Sequence, residues 1–220
     1  MSFKTWEKIT IEIEDEGEYQ FSGKKADAIA PVILSASRAT DIPAFYADWF
    51  ITRFRRGYLK WINPFNRSEQ YISFSKTRVI VFWSKNPFNL LKYLPEIDQS
   101  GINYYFQFTL NDYEDQRLES NIPNLEKRID IFHQLSDRLG NDRIIWRFDP
   151  LLLTDNLTID DLINKIETIG QEIHNSTNRL IISFIDINDY PRVKRNLANN
   201  YTSNIREFTL KEKQIFESFF

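Results

Sequence analysis

Apolar and polar positions change register several times along the chain, and the clearest change lies in Pro31-Val-Ile-Leu-Ser-Ala-Ser-Arg-Ala-Thr-Asp-Ile-Pro-Ala-Phe-Tyr46. Val32, Ile33 and Leu34 form a short apolar run of strand type. Ser35, Ser37, Arg38, Thr40 and Asp41 then crowd polar groups into seven positions. Ala44, Ala47, Phe50, Ile51 and Phe54 follow at helical spacing. The pattern predicts a buried strand, a polar turn and a helix. Pro43 fixes φ and suits a first helical turn, and the residue before a proline avoids the α region. The helix is therefore expected from Pro43 to about Arg56, with Gly57 ending it.

Upstream, residues 9–21 alternate on either side of Asp15-Glu16-Gly17, which predicts a β-hairpin within an extension over residues 1–26. Downstream, Tyr58–Asn63 and Tyr71–Phe74 read as short strands around a turn at Pro64–Ser68. Val79–Phe82, Ile102–Leu110, Arg143–Phe148 and Arg179–Ile185 read as strands. Helical patterns cover Phe88–Gln99, Pro123–Leu139 and Thr158–His174, with Gly101 and Gly140 as stops for the first two. A short helix is expected around Pro191–Ala198, and Thr209 caps a last one.

About five β-then-α units result, and strict alternation implies a parallel sheet covered by helices. The fold class is α/β. A (β/α) barrel, whole or partial, competes with an open doubly wound sheet. The expectation is an incomplete TIM-like barrel of about five to six parallel strands. A complete one takes roughly 250 residues, and this chain has 220. One domain over residues 1–220 is expected, cut short at its C-terminal side.

Composition narrows the classes. The net charge of −3 makes no electrostatic case for nucleic acid or membrane. Eighteen Phe, ten Tyr and five Trp promise a packed core. The absence of cysteine removes disulfides, thiol nucleophiles and thiolate metal sites from this chain. No apolar run of signal or membrane length occurs, so a cytoplasmic location is the default.

Each core strand turns polar at its C-terminal end: Ser35, Ser37 and Arg38; Ser84, Lys85 and Asn86; Gln107 and Thr109; Arg147 and Asp149; Ser183 and Asp186. Parallel α/β folds bind ligands at such ends. Gln107 and Thr109 share a face, as do Arg147 and Asp149. A shared polar pocket would account for all five ends. Arg38, Lys85 and Arg147 would hold a carboxylate or phosphate, while Asp41, Asp149 and Asp186 would pair with them, hold a hydroxyl or act as base. Trp83, Trp146 and Tyr105 are candidates for stacking on a flat ligand, or for core. An internal Arg147–Asp149 ion pair is the structural alternative. His133 and His174 read as structural, and no P-loop, Gly-x-Gly-x-x-Gly or Gly-x-Ser-x-Gly pattern appears.

Six blocks carry a family resemblance: Ile33–Tyr46, Asn63-Pro-Phe-Asn66, Val81-Phe-Trp-Ser-Lys-Asn-Pro87, Tyr105-Phe-Gln-Phe-Thr109, Trp146-Arg-Phe-Asp-Pro150 and Ser183-Phe-Ile-Asp186. In this order they resemble the bacterial domain of unknown function 1848. Asn63, from the second block, joins the ligand-binding candidates. That family is similar to radical S-adenosylmethionine enzymes, and its members carry C-terminal cysteines like those that ligate a [4Fe–4S] cluster. The resemblance implies a (β/α) barrel with S-adenosylmethionine as a possible ligand. An iron–sulfur cluster is implied for intact members only, because a cluster needs thiolates and this chain has none. Three readings follow, and the sequence leaves open whether the chain is an enzyme. The first is a barrel domain whose strand-end pocket takes a small polar or anionic ligand. The second is a non-catalytic binding or assembly subunit, self-associating or joined by a complementary C-terminal fragment. The third is a metal-independent acid/base enzyme built on Arg147, Asp149 and Asp186.

Overall fold

The structure, a computed structural model, describes residues 6–14, 24–37, 40–63, 66–116, 118–119, 121–190, 194–195, 197 and 204–219. The N-terminal alternation does give a hairpin, but with a later second arm. Strand β1 (Glu7–Ile13) runs antiparallel to β2 (Lys24–Ala30), with Glu7 opposite Ala30 and Ile13 opposite Lys24. The arm expected at residues 18–21 lies outside the described residues. The arm that pairs is alanine-rich, and its buried side is only Ala28 and Ala30. Nor is the hairpin an appendage. β4 (Tyr58–Ile62) and β5 (Glu69–Ser73) are antiparallel, and β5 lies parallel to β2, giving a sheet in the order β1-β2-β5-β4.

The remaining strands are β3 (Ile33–Ala36), β6 (Val79–Ser84), β7 (Asn103–Thr109), β8 (Ile144–Leu151) and β9 (Leu180–Phe184). They form a parallel sheet in the order β3-β6-β7-β8-β9. The spatial order is the chain order, without the reversal that defines a doubly wound sheet. The sheet is open among the described residues, with β3 and β9 as its edges, and no closed barrel is seen. Because β3 is an edge, its alternation shows. Leu34 and Ala36 are buried, whereas Val32 and Ile33 are more than half exposed. The apolar run that predicted a buried strand is buried on one side only.

By contact the chain divides into two units, Met1–Trp83 with Pro87–Tyr105, and Ser84–Asn86 with Phe106–Phe220. In the first, the helix expected from Pro43 begins one residue earlier and is two helices. These are α1 (Ile42–Phe45) and α2 (Ala47–Arg56), parted at Tyr46 with φ −132° and ψ 26°. Gly57 closes α2 at φ 82°, the left-handed conformation that favours glycine. The next predicted helix is also divided, into α3 (Phe88–Leu91) and α4 (Leu94–Gln99). Pro95 in the first turn of α4 has no N–H to continue the preceding turn. Phe50, Phe54, Phe74, Phe82 and Tyr104 form the aromatic core of this unit, with ring centroids 5.4–6.3 Å apart.

The second unit holds α5 (Leu125–Leu139), α6 (Ile159–Ile173) and α7 (Leu210–Glu217). Asn124 caps α5 by accepting the Lys127 N–H, and full capping boxes open α6 at Thr158 and α7 at Thr209. The helix expected at 191–198 falls mostly outside the described residues. α5 places Phe132 against Phe108 of β7 at 5.2 Å between centroids. On α6, a side chain at Gly170 would meet the Trp146 ring at 3.7 Å, so glycine lets helix and strand approach. Phe108, Trp146 and Phe148 thus face α5 and α6. By the period of two, Gln107, Thr109, Arg147 and Asp149 face the other way. No helix among the described residues is long and apolar enough to cross a membrane.

Candidate functional site

The face of β7–β9 turned away from α5 and α6 carries a row of polar side chains. Register places Thr109 opposite Arg147 and Arg147 opposite Ile181, and a hydrogen bond sets Ser183 beside Asp149 at the irregularity that follows Phe148. Arg147 lies at the centre. Its Nη1 donates to Gln107 Oε1 at 3.0 Å, its Nε donates to Asp149 Oδ2 at 3.0 Å, and its Nη2 donates to the same oxygen. Ser183 Oγ donates to Asp149 Oδ1. Both Asp149 oxygens are therefore engaged, and three strands are tied side chain to side chain. The Arg147 and Asp149 side chains are 13% and 23% exposed, so the row is shielded yet reachable.

Asn111 extends the row beyond β7. Completely buried, it donates from Nδ2 to the Asp149 carbonyl and accepts the Asp149 N–H at Oδ1, both at 2.9 Å. A two-way amide clasp of this kind fixes the backbone at Asp149, inside the irregular stretch of β8 between Phe148 and Leu151, where the Asp149–Pro150 bond is cis. Asn111 Nδ2 also lies 3.3 Å from Glu119 Oε1, the oxygen that accepts from Lys85 Nζ. Behind Glu119 stands Arg128, in the first turns of α5, with its side chain wholly buried. Arg128 reaches Glu119 at 3.7 Å and Glu114 at 3.6 Å, and none of its three nitrogens makes a hydrogen bond. Burial pushes its guanidinium below the ordinary range, and the glutamates oppose that shift. Tyr113 closes the loop after β7 by donating to the Pro150 carbonyl at 2.7 Å, and burial pushes its phenol upward.

Several candidates have local partners instead. Ser37 Oγ accepts the Ile42 N–H at 3.1 Å, and Asp41 Oδ1 accepts the Ala44 N–H at 3.0 Å, capping α1. Ser37 does so at φ 122°, a strained value for a residue with a side chain. Ser35 and Thr40 are exposed, and Arg38 lies outside the described residues. Asn63 closes the β4–β5 connection through backbone bonds with Ser68 and Arg67, each at 2.9 Å. The Asn86 N–H donates to Ser84 Oγ at 3.0 Å, and Trp83 is half-buried. Asp186 is exposed and accepts the Asp189 N–H at 3.2 Å in a turn. Asn111, Glu119 and Arg128 were not singled out from sequence. Asn111 continues the alternation Gln107, Thr109. Arg128 breaks the apolar series Leu125, Phe132, Leu135, Leu139, a cation at a core position of an amphipathic helix.

The family model for a domain of unknown function, DUF1848, matches residues 33–220. The chain belongs to the DUF1848 family. Searches of curated proteins and of solved structures find no match. The match covers the whole polar row of this DUF1848 chain, from Lys85 to Ser183, and excludes β1 and β2. A sequence without cysteine cannot supply the thiolates of an iron–sulfur cluster. Among the described residues no group of three or more His, Asp or Glu side chains is placed to hold a metal ion. The donors present in this DUF1848 chain do not fit a cluster.

Proposed function

We propose that the polar row of β7–β9 binds a small polar or anionic molecule, with S-adenosylmethionine as one candidate. The observation that carries this reading is the connected set Gln107–Arg147–Asp149–Ser183 on the sheet face opposite α5 and α6. Buried charge is costly unless paired, and four polar groups pre-arranged at strand ends suit a ligand better than they suit a core. A parallel sheet wound in chain order, with helices packed on the opposite face, supports a (β/α) barrel type of architecture. Asp149 is committed at both oxygens, which favours a positioning role over that of a free base. The role assigned to this chain is binding, without radical turnover. Assembly of a stable cluster on the isolated chain with iron and sulfide would contradict it.

The test is a titration with S-adenosylmethionine followed by amide shifts, using the wild-type chain, Arg147→Met and Ser183→Ala. Saturable shifts at Gln107, Arg147, Asp149 and Ser183, weakened about tenfold or more in Arg147→Met, are expected. Ser183→Ala, a smaller change, should weaken binding several-fold while retaining the native spectrum. Shifts elsewhere, or equal affinity in all three proteins, would overturn the assignment for this ligand.

A further inference from the structure

We propose that Lys85, Asn111 and Arg128 form a subsite for a tetrahedral oxyanion of phosphoryl type, for which Glu119 is the internal competitor. The proposal rests on the strand-end binding reading and gives the chemistry of one subsite beside the polar row. Glu119 is nearly buried, with a side chain 7% exposed. Its Oε1 takes the Lys85 ammonium and the Asn111 amide. Its Oε2 points at Arg128 Nη1 from 3.7 Å, and neither atom makes a hydrogen bond. Glu114 does no better from 3.6 Å, because its Oε1 already accepts the Leu125 N–H. The two carboxylates balance the charge of Arg128 and leave its donors unused.

A wholly buried guanidinium without hydrogen bonds is costly. The planar carboxylate of Glu119 satisfies one wall of the cluster and misses the other. A tetrahedral oxyanion directs oxygens to several sides at once. One reaches Lys85, another the Asn111 amide, and two meet the Arg128 fork in the bidentate manner that guanidinium favours. Arg128 is also the fourth residue of the fifteen-residue α5, near the helix end that attracts anions. Binding requires Glu119 to swing out and leave Lys85 and Arg128 to the ligand. Free phosphate and a phosphorylated small molecule share this chemistry.

The experiment titrates the full chain with inorganic phosphate and, separately, glycerol phosphate, followed by phosphorus line width and amide shifts. Wild type, Glu119→Gln and Lys85→Met are compared. Removing the competing charge in Glu119→Gln is expected to tighten phosphate binding about tenfold, with shifts centred on Lys85, Asn111 and Arg128. Lys85→Met changes a side chain that is 38% exposed, so it should fold, and it should weaken phosphate binding about tenfold. Preference for glycerol phosphate would indicate a phosphorylated metabolite, and equal binding a bare phosphate. A folded Glu119→Gln that binds phosphate no better than wild type would overturn the proposal. If shifts at Arg147 and Ser183 with S-adenosylmethionine persist in that case, the subsite fails and the strand-end reading stands. If both sets of shifts are missing, both fail.

Discussion

Arg147 holds its neighbours through three nitrogens, and the strongest of its partners is Asp149. Asp149→Asn leaves a mostly buried guanidinium facing a neutral amide. It should lower unfolding free energy by about 1–3 kcal/mol in urea titration. At Glu212 the residue scale gives a pH effect. Its carboxylate accepts from Arg206 and from Thr209, which hold it below the ordinary 4.5, down to about 2. A folded value below the unfolded one stabilises above about 4.5 and loses that contribution as pH falls towards 2. Protection factors of the α7 amides, taken against the intrinsic exchange rate at each pH, should therefore fall between pH 4.5 and 2, and Glu212→Gln should reduce that fall. Alternation alone could place Gln107 with Thr109 and Arg147 with Asp149, but not set these strands and Ser183 side by side. Asn111 continues the Gln107, Thr109 alternation, but its meeting with Glu119 is made by a loop whose path no periodicity encodes.

At the scale of elements, apolar spacing reports which side of a segment is buried, and it says little about backbone continuity. Ala44, Ala47, Phe50 and Ile51 lie at helical intervals across the break at Tyr46, so one helix was expected where two exist. One helix was likewise expected over Phe88–Gln99, although Pro95 inside that pattern removes a donor where α4 begins. One N-cap was read from the sequence, whereas Asp41, expected to face a ligand, caps α1. Thr209 caps α7 as expected, and Thr158 opens α6 with the same reciprocal arrangement. Thr158→Ala should cost about 1 kcal/mol, whereas Phe132→Ala, which empties a fully buried site against Phe108, should cost about 3–5 kcal/mol. Thermal melts of the two variants should separate clearly.

At the scale of the whole molecule, alternating β and α segments were enough to give a parallel sheet. Strand position within it was not legible, because Val32-Ile33-Leu34 reads alike at an edge or at a centre. The consequence is measurable. Ile33→Lys at a side chain more than half exposed should change unfolding free energy by less than about 0.5 kcal/mol, and a loss of several kcal/mol would show that the edge is covered. The long-range partnership of β2 with β5 was equally hidden, since parallel pairing between Ala28 and Tyr71, 43 positions apart, leaves no local mark.

Trp146 has a further consequence. Among the five tryptophans it is the buried one, and its indole N–H donates to the Leu110 carbonyl at 3.0 Å. It therefore touches the residue before Asn111 and precedes Arg147 in the chain. Its emission should lie to the blue of the other four. Its ring lies on the α6 side of the sheet, behind the polar row, so a shift in that band reports on the site through the Leu110 carbonyl, and loop movement can be timed by stopped flow with no added label.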